Sequence, residues 1–182
     1  MHPVVHPAVA YVLYRLGRGS VRAGPPGPNV TLALVLGAII PDVIDQPMYH
    51  VFAFPTTRTI AHSLLVAVPV CLLVWIAVRR RGVRDEIALG FAVGYLSHLA
   101  ADALWPLVLG EYDELGFLLW PITEMPPYEG VKPLVTIDSL TITTLWVEVG
   151  LLVIGVLVWS RDGWPGMEVA SQALDALREM TR

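Results

Sequence analysis

The 182-residue sequence is poor in cysteine, lysine and charge. Its single cysteine, Cys71, excludes an intrachain disulfide. Only 15% of the residues are charged and the formal net charge is −4, which argues against the basic surface that nucleic-acid binding needs. The first seven residues, MHPVVHP, lack the basic start of a cleavable signal peptide. We therefore expect no nucleic-acid partner, and insertion into a membrane through internal helices.

Apolar residues dominate the remainder. They make up 55% of the chain, and the mean hydropathy is +0.61, values typical of a membrane protein. Segments 62–78, 86–109 and 140–159 approach the ~20 residues of a spanning helix. Segments 7–17 and 30–40 predict two shorter helices, the second ending at Pro41. The expected fold is all-α: a polytopic bundle of about five membrane-embedded helices in residues 1–165, followed by an amphipathic cytoplasmic tail, 166–182.

The arginines predict the orientation of these helices. Ten of the twelve basic residues lie in three alternate connections, and such clusters face the cytoplasm; they are Arg15, Arg18, Arg22, Arg79, Arg80, Arg81, Arg84, Arg161, Arg178 and Arg182. The connection 110–139 is acidic and is expected outside. The prediction is a multi-pass protein of the plasma membrane with an outer N-terminus and a cytoplasmic C-terminus.

Six ionisable residues converge on the outer end of this topology: His6, Asp42, Asp45, His62, His98 and Asp102. In "GYLSHLAAD", 94–102, the i, i+4 spacing places His98 and Asp102 on one helical face. A charged aspartate in hydrocarbon costs about 2.5–3.5 kcal/mol even on lenient scales, and Arg58 is the only basic residue between Arg22 and Arg79. A divalent cation would relieve the repulsion, and mixed His and Asp ligands suit zinc, with manganese or iron as alternatives.

Each of these signals has a simpler structural interpretation. His98 and Asp102 could form a hydrogen bond that ties two helices together. The segment "PDVID" could be a helix-ending turn with a local aspartate cap. His6 could cap the first helix, and Arg58 could anchor the chain at the membrane interface.

Five segments in order carry a resemblance to a known family: His6 before a short apolar helix, "LGAIIPDVIDQP" at 36–47, "RTIAHSLL" at 58–65, "GYLSHLAADAL" at 94–104 and "LLWP" at 118–121. The series resembles the membrane-bound metal-dependent hydrolases of bacteria and archaea, which include a LexA-binding, inner-membrane-associated hydrolase. Arginine-rich basic usage with an acidic outer loop is most similar to archaeal members. Two departures stand out: Val43 and Ile44 separate Asp42 from Asp45 where many members read "PDIDHP", and Thr57 replaces the first histidine of "HRGxTHS".

The resemblance implies that His6, Asp42, Asp45, His62, His98 and Asp102 are metal ligands. It also implies a hydrolase, in which Arg58 and Asp45 are the candidates for a direct part in catalysis. The substrate would be a phosphoester or a lipid-linked molecule near the outer leaflet, with membrane lipids as the surrounding partners. The alternative is a non-catalytic membrane protein in which a structural metal or a polar network joins short helices and partners are recruited.

Overall fold

The computed structural model describes residues 1–18, 24–54, 56–124 and 142–180. Within these ranges the secondary structure is helical, which confirms the all-α fold. The α-helices are α1 (Val5–Gly17), α2 (Pro28–Phe52), α3 (Leu64–Arg80), α4 (Asp85–Leu109), α5 (Ile142–Arg161) and α6 (Met167–Met180), and a 3-10 helix spans Tyr112–Leu119. Residues 125–139 of the predicted outer loop, Arg22, and the last two residues of the predicted tail lie outside the described ranges.

Local sequence explains where α2, α3 and α4 begin and where α4 ends. Pro28 occupies the first turn of α2, where its missing N–H costs nothing. The Ser63 hydroxyl caps α3 by accepting a hydrogen bond from the Leu65 N–H at 3.2 Å. Asp85 and Glu86 lie in the first turn of α4, where negative charge is favourable. Gly110 ends α4 with φ of 76°, a left-handed conformation that glycine adopts without strain.

The prediction that the second helix ends at Pro41 is wrong. The helix continues through Pro41 and Pro47 to Phe52, so Asp42 and Asp45 lie on a helix and not on a loop. With 25 residues α2 is about 37 Å long, rather than a short segment. Pro41 is buried, and packing of α2 along its length against α4 overrides the local cost of a proline in a helix.

Glycines bring the backbones of α2 and α4 into direct contact. A Cβ on Gly37 would collide with the Phe91 carbonyl oxygen, and a Cβ on Gly94 with the Leu34 carbonyl oxygen. Gly90 has a similar relation to Val30, whose carbonyl oxygen would lie 2.9 Å from a Cβ. Gly90 and Gly94 are four residues apart on one face of α4, the spacing of small residues that allows close helix packing in membranes. These two helices form the centre of the bundle.

The other helices pack around this pair and leave apolar side chains outward. A Cβ on Gly155 of α5 would lie 2.5 Å from the Cβ of Ala8 of α1, so these two helices also pack closely. On α3, Leu73 is 65% exposed. By length and composition, α2 and α4 are each able to cross a membrane. The span predicted at 86–109 therefore matches α4, while embedding of five helices stays a prediction.

Candidate metal centre

The structure brings the six predicted ligand residues to one end of the bundle. His6 lies in the first turn of α1, Asp42 and Asp45 are one turn apart on α2, and His98 and Asp102 are one turn apart on α4. The sixth residue, His62, directly precedes the Ser63 cap of α3. The packing of α2 against α4 thus places carboxylates of one helix opposite the histidine of the other.

The two central histidines are oriented through their Nδ1 atoms. His98 Nδ1 lies 2.7 Å from the backbone oxygen of Ala38, an acceptor only, so this nitrogen is the donor. His62 Nδ1 lies 2.8 Å from Asp45 Oδ2 and donates to that carboxylate. Both rings therefore direct Nε2 toward the centre, and the two Nε2 atoms are 3.1 Å apart. Neutral imidazoles in these tautomers would place two lone pairs against each other, which requires a proton or a cation between them.

Asp45 is fully buried, and its hydrogen bonds come from the chain segment before α3. Its carboxylate accepts from the backbone N–H of Thr59 at 2.8 Å, of Ala61 at 3.0 Å and of His62 at 3.2 Å. The Nδ1 donor of the His62 ring adds a fourth contact. Asp45 therefore fixes both the backbone and the ring of His62. In proteins, carboxylates in this position orient a metal-ligating histidine.

Asp102 divides its two carboxylate oxygens between different neighbours. Oδ2 lies 3.1 Å from Arg58 Nε and 3.5 Å from His62 Nε2. Oδ1 lies 3.5 Å from His6 Nε2 and 2.6 Å from the amino nitrogen of Met1. The Arg58 guanidinium also lies over the Phe117 ring, 5.5 Å from its centroid. Asp102 therefore lies between two histidines, those of α1 and of the 59–62 segment, on one hand and two cations, Arg58 and the Met1 amine, on the other.

His6 is the least satisfied polar side chain of the cluster. It is 1% exposed, and its ring stacks on His98 with centroids 3.7 Å apart. Neither ring nitrogen has a hydrogen-bond partner within the described part of the chain. A buried imidazole without a partner costs free energy unless something binds it.

Two sets of three side chains meet the distance requirement for holding one metal ion. The first is His6, His98 and Asp102, all buried; the second is Asp42, His62 and His98. Within each set, one ligand atom per residue lies within 4.8 Å of the others. Asp45 belongs to neither set. His98 belongs to both, and the residues that could hold a metal therefore form one continuous cluster.

Protonation of His62, which lies between α2 and α3, is subject to opposing influences. Burial disfavours the imidazolium, but the carboxylates of Asp102 and Asp45 outweigh burial and raise the pKa of His62 above its ordinary value. The cluster accordingly favours positive charge at its centre, whether carried by a proton or by a metal ion.

Sequence reasoning missed three residues that shape this end of the bundle. The Ala38 carbonyl, which orients His98, has no sequence signature. The Tyr95 hydroxyl donates to the Ala61 backbone oxygen at 2.7 Å and holds the segment before α3. Glu148 of α5 accepts from the Trp105 indole at 3.3 Å and from the His2 N–H at 2.9 Å. The only signal for Glu148 was an acidic residue within the apolar segment 140–159.

One family model matches almost the whole chain: the YdjM inner membrane protein model, over residues 1–174. No curated protein sequence and no solved structure matches the chain. The match supports the predicted membrane location, while hydrolysis and similarity to archaeal members stay predictions. Because this model covers residues 1–174 of the 182-residue chain, the chain belongs to the YdjM inner membrane protein family.

Proposed function

We propose that this membrane protein is a divalent-metal-dependent hydrolase whose metal is held by the cluster at the end of α1, α2 and α4. The observation that carries the proposal is the pair of Nε2 atoms of His62 and His98, 3.1 Å apart and both turned inward by hydrogen bonds at Nδ1. A metal ion placed beside both nitrogens would use the lone pairs that otherwise repel each other.

The charges of the cluster support the same proposal. Three aspartates converge at this end, and Asp42 and Asp45 make no ion pair with lysine or arginine among the described residues. Arg58 and the Met1 amine are the cations in contact with Asp102. Since buried carboxylates are costly without compensation, a divalent cation would offset the remaining negative charge.

The proposed ligands are His6, Asp42, His62, His98 and Asp102. Asp45 acts on the metal indirectly, because its oxygens are already occupied by the backbone and ring of the 59–62 segment. Mixed nitrogen and carboxylate ligands suit zinc best, with manganese or iron as alternatives. When bound, such an ion supplies a water of lowered pKa and polarises the bond to be cleaved.

The protein's own residues would bind and orient the substrate. Arg58 lies at the edge of the cluster, where a guanidinium can pair with an anionic group such as a phosphoester. A phosphoester or lipid-linked substrate fits this charge and the membrane location. Asp45 would contribute to catalysis as a positioning residue, because it accepts hydrogen bonds from the ring and the backbone of His62.

The proposed setting is a plasma-membrane bundle with the cluster near the outer leaflet. Outward apolar side chains on α3 and α5, such as Leu73 and Val153 at 65% and 49% exposure, support embedding of these helices as well as α2 and α4. The arginine asymmetry supports an outer N-terminus, a cytoplasmic C-terminus and a cytoplasmic tail after residue 165.

The second candidate is a non-catalytic membrane protein in which the cluster ties the helices together. The 3.1 Å distance between the Nε2 atoms also fits it, because an imidazolium at His62 could donate from Nε2 to His98 and satisfy the pair without a metal. Recruitment of partners would then be the function of the protein's surfaces. Metal content separates a metal centre from a metal-free polar network, and metal-dependent hydrolysis separates an enzyme from a structural metal.

The test is metal analysis of the protein purified in detergent, followed by assays with phosphoesters and lipid phosphates. His98→Ala removes a central ligand, and His50→Ala is the matched control because His50 is an exposed histidine on α2. The proposal predicts a bound divalent metal and metal-dependent hydrolysis in the wild type and in His50→Ala, with both lost in His98→Ala. Metal-free wild-type protein whose melting temperature ignores added metal would favour the second candidate.

A further inference from the structure

Among the described side chains of the cluster, those of Asp42 and Arg58 are partly exposed, and the side that they border is called its opening. The side chains of His6, His62 and His98 are 0% exposed and Asp102 is 4% exposed, whereas Asp42 is 18% and Arg58 20% exposed. Asp42 borders His62, since its Oδ1 lies 3.7 Å from His62 Nε2, and Arg58 borders Asp102, since its Nε lies 3.1 Å from Asp102 Oδ2. A molecule that reaches the two Nε2 atoms therefore passes between α2 and the segment that carries Arg58.

An apolar stripe on α2 leads to this opening. Leu32, Leu36, Ile39 and Val43 recur at helical spacing and share one flank of the helix. Leu36 is 51% and Val43 63% exposed. At about 100° per residue, Ile39 and Val43 lie beside Asp42 on its outer side. By length and composition α2 is able to cross a membrane, and in an embedded α2 this stripe would face hydrocarbon and end beside Asp42.

Arg58 is placed to receive an anion at the same opening. Its Nε pairs with Asp102, and its guanidinium lies over Phe117. Its two terminal nitrogens make no ion pair or hydrogen bond to other described residues. An arginine held in this way by one nitrogen and an aromatic ring presents the other two to a planar or tetrahedral oxyanion.

We propose that the substrate is an amphiphile with a phosphate-type head group, which enters sideways from the bilayer along the Leu36–Val43 flank of α2. The head group reaches the metal cluster and pairs with Arg58, while the hydrocarbon chain stays on the α2 stripe. This inference rests on the proposed metal-dependent hydrolase; it adds the route of entry and restricts the proposed substrate to an amphiphile.

The test uses binding and does not require turnover. Protein in phosphatidylcholine nanodiscs is loaded with Mn²⁺, and bound Mn²⁺ is counted by electron paramagnetic resonance. Hexadecylphosphonate in the bilayer and methylphosphonate in water are then compared by phosphorus NMR, because a phosphonate that reaches the cluster relaxes faster beside Mn²⁺. Val43→Trp adds bulk beside Asp42, and Leu72→Trp is the control at an exposed site of α3, about 12 Å along the helix from its first residue, Leu64.

Wild-type protein and Leu72→Trp should relax hexadecylphosphonate equally. Val43→Trp should weaken that effect about tenfold and leave methylphosphonate unchanged. Arg58→Gln should weaken both phosphonates by about tenfold or more, because it removes a charged hydrogen-bond donor. If Val43→Trp misfolds and no longer binds Mn²⁺, Val43→Phe is compared with the wild type in its place.

Equal relaxation of hexadecylphosphonate in wild-type protein and a Mn²⁺-binding Val43 variant would overturn the entry route. Relaxation of methylphosphonate alone would overturn the amphiphile. Absence of bound Mn²⁺ in the wild type is a different result: it would refute the proposed metal centre, and this inference with it.

Discussion

His98 Nδ1 donates to the backbone oxygen of Ala38 at 2.7 Å, so the orientation of an α4 side chain depends on how closely α4 approaches α2. The approach is set by Gly37 and Gly94, where neither backbone leaves room for a Cβ. The geometry of the cluster is therefore built into helix packing. Replacing either glycine should therefore weaken metal binding, although neither glycine is a metal ligand.

Gly94→Ala should separate α2 from α4, because its Cβ would collide with the Leu34 carbonyl oxygen. We expect a loss of about 1–3 kcal/mol of stability from overpacking, together with weaker metal binding as His98 moves away from Ala38. Gly150→Ala on α5 is the control, because nothing lies within 4 Å of its added Cβ. The measurements are melting temperature and metal affinity in detergent; equal values for the two variants would contradict this account of the helix contact.

Asp45→Asn should weaken metal binding without removing a ligand. The amide keeps the size of the carboxylate but replaces one acceptor oxygen with a donor facing the N–H groups of Thr59, Ala61 and His62. We expect affinity to fall about 10–100-fold while saturating metal still restores the full stoichiometry. Metal titration monitored by thermal shift measures this. Complete loss of one metal equivalent at saturation would instead make Asp45 a direct ligand.

His98→Ala and Asp102→Ala should each abolish metal binding and activity, and the double variant should cost little more than either single change, since residues that act as a unit give non-additive losses. If the pair only tied helices together, single changes would lower stability modestly and metal content would stay unchanged. Metal stoichiometry and melting temperature of the four proteins of this cycle decide between these outcomes. Retention of metal by the double variant would refute the cluster as a metal centre.

The topology predicted from arginines can be tested by cysteine labelling. In a Cys71→Ser background, single cysteines at Arg81 and Asp113, both exposed positions, should react from opposite sides of the membrane in intact cells. Arg81 should need permeabilisation and Asp113 should not. Labelling of both positions from the same side would overturn the predicted orientation.

Much of the site could be predicted because its residues are costly in an apolar chain. Six ionisable side chains in hydrophobic segments had to be compensated, and the arginine pattern alone placed them at one end. The continuation of α2 beyond Pro41 could not be predicted. A proline favours the end of a helix on local grounds, whereas the burial of Pro41 depends on tertiary packing that the sequence does not display. Three of the groups that donate to Asp45, and the acceptor of His98 Nδ1, are backbone groups, which every residue carries, so the sequence contains no signal for them. Glu148 was overlooked because one acid in an apolar segment has no partner visible in sequence.

The most direct test of the metal centre is elemental analysis of the wild-type protein and of His62→Ala, with melting temperatures before and after a chelator. Because the Nε2 atoms of His62 and His98 converge at 3.1 Å, the wild type should carry at least about one equivalent of divalent metal by ligand count. It should also melt lower after chelation, and His62→Ala should lack the metal. A wild type without metal, whose melting temperature is unchanged by chelator and by added zinc, manganese or iron, would contradict the proposed centre.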